Sequence, residues 1–144
     1  MKIGIGNDHH GVELKNRIIS YLNSKGYETI NYGCDFKDNT DYIDYAIKVC
    51  NAVNNKEVDF GILICGTGIG MSIVANKIKG IMCAKVSNPK EALLAKEHNM
   101  ANVIALSEST ENVGEILDSF INTTHSEQER HIRRIDRIKE LENK

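Results

Sequence analysis

Runs of β-forming residues recur along the chain, separated by stretches in which apolar positions fall three and four apart. Lys2-Ile3-Gly4-Ile5-Gly6 reads as a first buried strand. From Val12 to Lys25, Leu14, Ile18 and Leu22 repeat at i, i+4 and i+8, one apolar stripe of a helix that Gly26 is placed to stop. Tyr27 to Tyr32 alternates and is rich in β formers, a second strand, and Gly33 to Thr40 reads as a loop. Asp41 to Asn54 returns to helix, with Ile43, Ala46, Ile47, Val49, Cys50 and Val53 expected on its buried side. Phe60 to Ile64 is short and wholly apolar, as a strand covered on both faces must be. Ile81 to Val86 is a fourth strand. Ser87 or Asn88 can cap a helix from Pro89 to Glu97 that ends at His98-Asn99, and Asn102 to Leu106 is a fifth strand. Val113, Ile116, Leu117 and Phe120 mark another helix, and a last one runs roughly from Glu127 to Glu142.

Strands that alternate with helices through short connections predict an α/β domain. It is a doubly wound, five-stranded parallel sheet with helices on both faces, spanning 1–144 as one unit. In such sheets ligands bind beyond the carboxyl ends of the strands. Those ends carry Asp8-His9-His10, Cys65-Gly66-Thr67, Ser87-Asn88 and the loop after Leu106. His98-Asn99 precedes the fifth strand, so this rule alone does not put it in that crevice.

One junction carries more chemistry than the rest. After the central strand, Gly66, Gly68 and Gly70 alternate with single residues, and Met71 to Lys77 reads as a helix. A strand, a glycine turn and a helix start gather backbone N–H groups and the positive end of a helix dipole around one small space. A phosphate, a carboxylate or a developing oxyanion fits there. The pattern is neither a Walker loop, because no Gly-Lys-Ser/Thr follows, nor a dinucleotide fingerprint, because Met71 stands where the third spaced glycine belongs. The plain alternative is a tight turn with a small core thiol.

Composition narrows the class further. The net charge of −2 implies no general affinity for nucleic acid or anionic membrane. No apolar run approaches the ~20 residues needed to span a bilayer, and Met1 to Ile5 enters a strand-like run directly, so no secretory leader is expected. Cys34, Cys50, Cys65 and Cys83 show no Cys-x-x-Cys spacing, which leaves zinc and dithiol chemistry unsignalled and a cytoplasmic protein with reduced thiols expected.

Four groups of residues are candidates for chemistry. Asp8 suits a helix cap or a sugar hydroxyl, and His9 a solvated loop, a phosphate or acid catalysis. Cys65, beside a helix N-terminus, suits a base or a nucleophile, because a thiolate is favoured there. The other three cysteines read as structural. Thr67 either stabilises the loop or donates to substrate. On the last helix Arg130, Arg134 and Arg137 share a face, while Ile132, Ile135, Ile138 and Leu141 supply apolar contacts. That helix is either a solvated charged helix or an anion site, since guanidinium forks match phosphate.

Taken in order, Gly6-Asn7-Asp8-His9, Thr40-Asp41-Tyr42, Ile64 to Gly70, Ala75-Asn76-Lys77, His98-Asn99, Asn102-Val103 and Arg130 to Arg134 resemble the ribose-5-phosphate isomerase B family. That family lies within the wider group that includes galactose-6-phosphate isomerase subunits, and the resemblance covers nearly the whole chain. It implies a Rossmann-like aldose–ketose isomerase of phosphorylated sugars that uses no metal and no cofactor. Cys65 then matches the base that moves a proton between C1 and C2, and Thr67 a residue that assists it. The amides of Gly66 to Gly70 match the enediolate pocket, with Gly66, Gly68 and Gly70 lining it. His98 matches the group that opens the furanose ring. Asp8 and Asn99 match sugar-hydroxyl ligands, and His9, Arg130 and Arg134 match phosphate ligands. The resemblance further implies a homodimer, often within a tetramer, whose sites lie between subunits, so that the C-terminal helix extends to a partner. The chain departs from the family pattern at Met82 and Ser109, where arginine is usual, and at Ile43, where proline is usual. Three functions remain open: a pentose-phosphate isomerase, a hexose 6-phosphate (allose or galactose) isomerase, and a nucleotide- or phosphate-binding module without turnover.

Overall fold

A computed structural model describes residues 1–36 and 40–144; residues 37–39 of the expected 33–40 loop lie outside them. The sheet consists of β1 (Lys2–Asn7), β2 (Glu28–Asn31), β3 (Phe60–Cys65), β4 (Cys83–Lys85) and β5 (Val103–Ser107). Its order is β2-β1-β3-β5-β4 and every pairing is parallel. The helices are α1 (Val12–Ser24), α2 (Tyr42–Asn54), α3 (Ile69–Asn76), α4 (Pro89–Asn99), α5 (Val113–Asn122) and α6 (Glu129–Glu140). None is long and apolar enough to cross a membrane.

The period of two along each strand splits the core. Phe60, Ile62 and Ile64 of β3, with Ile104 and Leu106 of β5, pack against α1, α4 and α5 through Leu14, Ile18, Leu22, Ile116 and Phe120. Leu63 and Cys65, with Val103 and Ala105, face α2 and α3 through Val49, Cys50, Met71 and Ala75. That second face is tight. A Cβ on Gly61 would lie 2.5 Å from Val49 Cγ1, and one on Gly6 would lie 2.7 Å from Val49 Cγ2, so these glycines let α2 approach the sheet.

Local signals set several boundaries. Gly26 takes φ +85° just past α1, and Tyr27 N–H donates to the Leu22 carbonyl at 3.0 Å, a left-handed helix stop. Asn88, rather than Ser87, caps α4: its Oδ1 accepts Glu91 N–H at 2.8 Å, with Pro89 in the first turn. α4 ends at His98-Asn99, as expected, and closes on Met100 at φ +51°. The structure corrects one other expectation. On α2, Ile43 and Ile47 are 44% and 39% exposed, so the buried stripe is narrower and runs through Ala46, Val49 and Cys50. α6 buries His131 and Ile135, while Ile132, Ile138 and Leu141 are exposed on the single chain, in keeping with a helix that need not pack on its own sheet. The chain after α6 forms a 3-10 turn (Leu141–Asn143), where Glu142 accepts Gly80 N–H.

Candidate active site

β3 delivers Cys65 to the carboxyl edge, 4% exposed, and the turn that follows folds back over its sulfur. Gly68 N–H donates to Cys65 Sγ at 3.1 Å. Gly68 has φ +80°, and a Cβ there would lie 3.0 Å from the Leu106 carbonyl carbon, so both conformation and space demand glycine. Ser107 Oγ donates to the Gly66 carbonyl at 2.9 Å, which fixes the turn to β5. Thr67 is exposed, and its hydroxyl accepts Ile69 N–H at 3.1 Å, so it also stabilises the start of α3. Gly70 lies under the Tyr42 ring, where a Cβ would come within 2.6 Å of Cζ.

β1 brings Asp8 and His9 to the same edge. Asp8, 4% exposed, accepts His10 N–H at 3.0 Å and so does serve as a cap. His9 is held on two sides by Thr40. Its N–H donates to Thr40 Oγ1 at 3.1 Å, and its Nδ1 accepts Thr40 N–H at 3.2 Å. With Nδ1 occupied as an acceptor, a neutral His9 carries its proton on Nε2 and presents a donor there. His9 and His10 rings lie 4.1 Å apart, and His10 Nδ1 is 3.4 Å from Glu108 after β5. Asp8, His9 and His10 have ligand atoms within 4.8 Å of one another, a grouping that can hold a metal ion. A cavity of about 530 Å³ opens at the carboxyl ends of β3, β4 and β5, lined by Gly66, Thr67, Lys85, Ser87, Ser107 and Ser109.

The remaining candidates lie elsewhere. Asn99 precedes β5, whose first residue Val103 pairs with Gly61, whereas Cys65 pairs with Ser107 at the far end. At ~3.3 Å per residue the two edges are roughly a strand length, ~15 Å, apart. His98, half-buried, and Asn99, exposed, therefore occupy the amino edge. α6 lies there too: Ser126, just before it, donates its N–H to the Glu97 carbonyl at 2.7 Å. Arg130 and Arg134 are exposed on its surface. Within one chain the structure gathers Asp8, His9, Cys65, Gly66, Thr67, Gly68 and Gly70 into one cluster and His98, Asn99, Arg130 and Arg134 into another.

The other thiols are chemically distinct. Burial pushes Cys50 and Cys83 up to about 12, with the Cys50 charge a second cause at Cys83. Cys34 is buried and donates to the Phe36 carbonyl. Sequence reasoning missed three buried polar groups that support the site. Asn7 Nδ2 donates to the carbonyls of Asp8 and Cys34 at 2.9 Å each. Lys15, fully buried, donates Nζ to the Cys34 carbonyl and the Asp35 carboxylate, tying α1 to the loop after β2. Its place between Leu14 and Ile18 at the margin of the apolar stripe was the available signal. His131 is buried against His98.

A family model described as Ribose/Galactose Isomerase matches residues 3–138. The chain is 41% identical to ribose-5-phosphate isomerase B of Escherichia coli, over 98% of this chain and 96% of that one. A solved ribose-5-phosphate isomerase B from Clostridium thermocellum superposes with a TM-score of 0.95 at 42% identity, covering 99% of this chain and 98% of its own. Another, from Mycoplasma genitalium with bound ribulose-5-phosphate, superposes with a TM-score of 0.91 at 40% identity, over 99% and 97%.

Proposed function

The chain belongs to the ribose/galactose isomerase family, and from that premise we propose that it interconverts ribose 5-phosphate and ribulose 5-phosphate through an enediolate, with Cys65 as the base. The observation that carries this reading is the thiol of Cys65 enclosed by the Gly66–Gly70 turn at the carboxyl edge. The hydrogen to be moved lies on carbon next to a carbonyl, so the reaction needs a base within reach and fixed donors for the oxygen that becomes negative. A thiolate on Cys65 takes the proton from C2 of the open aldose and returns it to C1. The amides around Gly66, Gly68 and Gly70 hold the enediolate oxygen, and Thr67 assists the transfer. Asp8 and Asn99 bind sugar hydroxyls. His9, through Nε2–H, and the guanidinium groups of Arg130 and Arg134 bind the phosphate. His98 opens the furanose ring. Four free cysteines fit a reducing cytoplasm.

Because the two clusters occupy opposite edges, each site is assembled from two chains of a homodimer. Cys65 comes from one chain, and His98, Asn99, Arg130 and Arg134 from the other. Exposed Ile43 and Ile47 on α2, Ile69 and Ile73 on α3, and Ile132 on α6 supply apolar surface for that contact. A two-fold axis makes two equal sites. The test mixes Cys65→Ala chains with Arg130→Ala/Arg134→Ala chains. Hybrid dimers regain one intact site, and at substrate concentrations well below the KM of the arginine variant they turn over faster than either parent. Hybrids no faster than the parents, with both parents folded and dimeric, refute the shared site. Assays with ribose 5-phosphate, allose 6-phosphate and galactose 6-phosphate separate the pentose reading from the hexose one, and no turnover of any refutes the isomerase.

A further inference from the structure

Beside His98 lies a second imidazole to which the chemistry above assigns no task. His131, in the first turn of α6, is 7% exposed, and its ring is stacked on that of His98 with centroids 4.3 Å and planes 23° apart. Nδ1 of His131 is 2.8 Å from Ser126 Oγ. Ser126 is itself fixed: its hydroxyl accepts Gln128 N–H at 3.1 Å, and its own N–H reaches the Glu97 carbonyl. On the far side Glu97 Oε1 lies 3.3 Å from His98 Nε2. These contacts close a loop that runs from α4 through Ser126 and His131 back to α4. Arg130 and Arg134, on the same helix, stay in solvent. Burial, then His98, Arg130 and Arg134, push the His131 ring below the usual imidazole range, against an opposite pull from Glu97.

We propose that His131 is a positioning residue, a platform that fixes the plane of His98 and joins it to the arginine-bearing helix. The proposal rests on the ring-opening role of His98 given above. As the C1–O4 bond of the furanose breaks, a proton must leave the anomeric hydroxyl and another must reach O4. A donor displaced by ~1 Å loses much of its effect, on the order of 100-fold in the worst case. Stacking holds an imidazole by its face and leaves both nitrogens free in the plane for Glu97 and for the sugar.

The test separates two reactions of the intact enzyme. Turnover of ribose 5-phosphate requires ring opening. Ribulose 5-phosphate has no furanose form, so exchange of its C1 hydrogen in D2O proceeds through the enediolate without that step. His131→Leu is expected to lower turnover about tenfold while exchange changes by less than about twofold, and His131→Phe, which keeps an aromatic face, restores most of the ratio. Turnover and exchange falling together in His131→Leu, or Phe behaving as Leu does, overturns the proposal. Should the leucine variant fail to fold, Ser126→Ala decides: it releases the ring without removing it and must lower the ratio by about threefold, and an unchanged ratio overturns the proposal. His98→Ala distinguishes the two levels. If it too leaves the ratio unchanged, the ring-opening role falls and the platform with it. If it lowers the ratio and the changes at His131 do not, only the platform falls.

Discussion

The two edges of the sheet are built from different materials. At the carboxyl edge the candidate chemistry is mostly backbone: a turn whose Gly68 N–H closes on Cys65, a glycine with no room for a Cβ, and a carboxylate, Asp8, one of whose oxygens accepts a backbone N–H. At the amino edge it is mostly side chain: two exposed arginines, an exposed asparagine and a half-buried histidine on the surface of α4 and α6. The first arrangement fixes distances within a rigid core. The second reaches outward, and truncating it is expected to weaken the proposed phosphate binding without disturbing the fold. Proton transfer from carbon needs the first, and capture of a mobile dianion draws chiefly on the second, with His9 the one phosphate ligand proposed at the carboxyl edge.

That contrast can be broken by mutation. The largest effect is expected at Cys65. Cys65→Ala should keep its circular dichroism and melting temperature and lose activity by more than about 100-fold. Activity above about a tenth of wild type, a barrier change below ~1.4 kcal/mol, would mean another group is the base. Next comes Arg130→Ala/Arg134→Ala, expected to raise KM for the sugar phosphate by about tenfold or more with kcat less affected, because charge-assisted bonds to phosphate are lost from a solvated helix face. A melting temperature that drops with it would show that the amino edge is structural after all.

The glycine turn offers a smaller, cleaner comparison. At Gly66 an added Cβ meets nothing nearer than the His10 ring at 3.6 Å, whereas at Gly68 it meets the Leu106 backbone and a left-handed φ. Gly66→Ala should melt close to wild type. Gly68→Ala should lose about 1–3 kcal/mol in urea titration, and equal losses would refute the steric account.

The smallest effect concerns acid. Hydrogen bonds from Lys15 and then Asn31 hold the Asp35 carboxyl below the usual carboxylate range. The unfolded chain therefore binds the proton first as pH falls. The contribution is complete above the ordinary carboxylate pKa, about 4, and disappears as pH drops through the folded value. Asp35→Asn should flatten the acid limb of the stability curve slightly, since the side chain is largely exposed. An unchanged limb would show that the ion pair contributes nothing.

How much of this was legible in the chain follows from the same contrast. Strand positions, helix stripes and the glycine turn depend on local periodicity and backbone freedom, and Leu14, Ile18 and Leu22 or Phe60 to Ile64 announce them directly. The exposure of Ile43 and Ile47 was not legible, because an apolar residue on a helix looks the same whether it meets its own sheet or another surface. Burial of Lys15 and His131 escaped for a related reason. Each depends on a partner far along the chain, Asp35 and His98, that periodicity does not name. His98 and Asn99 read as a helix end and do close α4, although the left-handed stop itself falls on Met100, a residue with no special preference for it.

The strand order has a consequence for how the protein behaves at high concentration. Its two unpaired margins are β2, of four residues, and β4, of three, while the apolar β3 lies in the middle with a neighbour on each side. A margin that short offers another molecule few free amides to zip onto, and Glu28 and Lys85 put a charge on each. The segment most prone to cross-β stacking, Phe60 to Cys65, becomes available only when the sheet comes apart at its centre. Fibril formation should therefore track global unfolding, staying absent until the whole domain opens and then proceeding from its most protected strand.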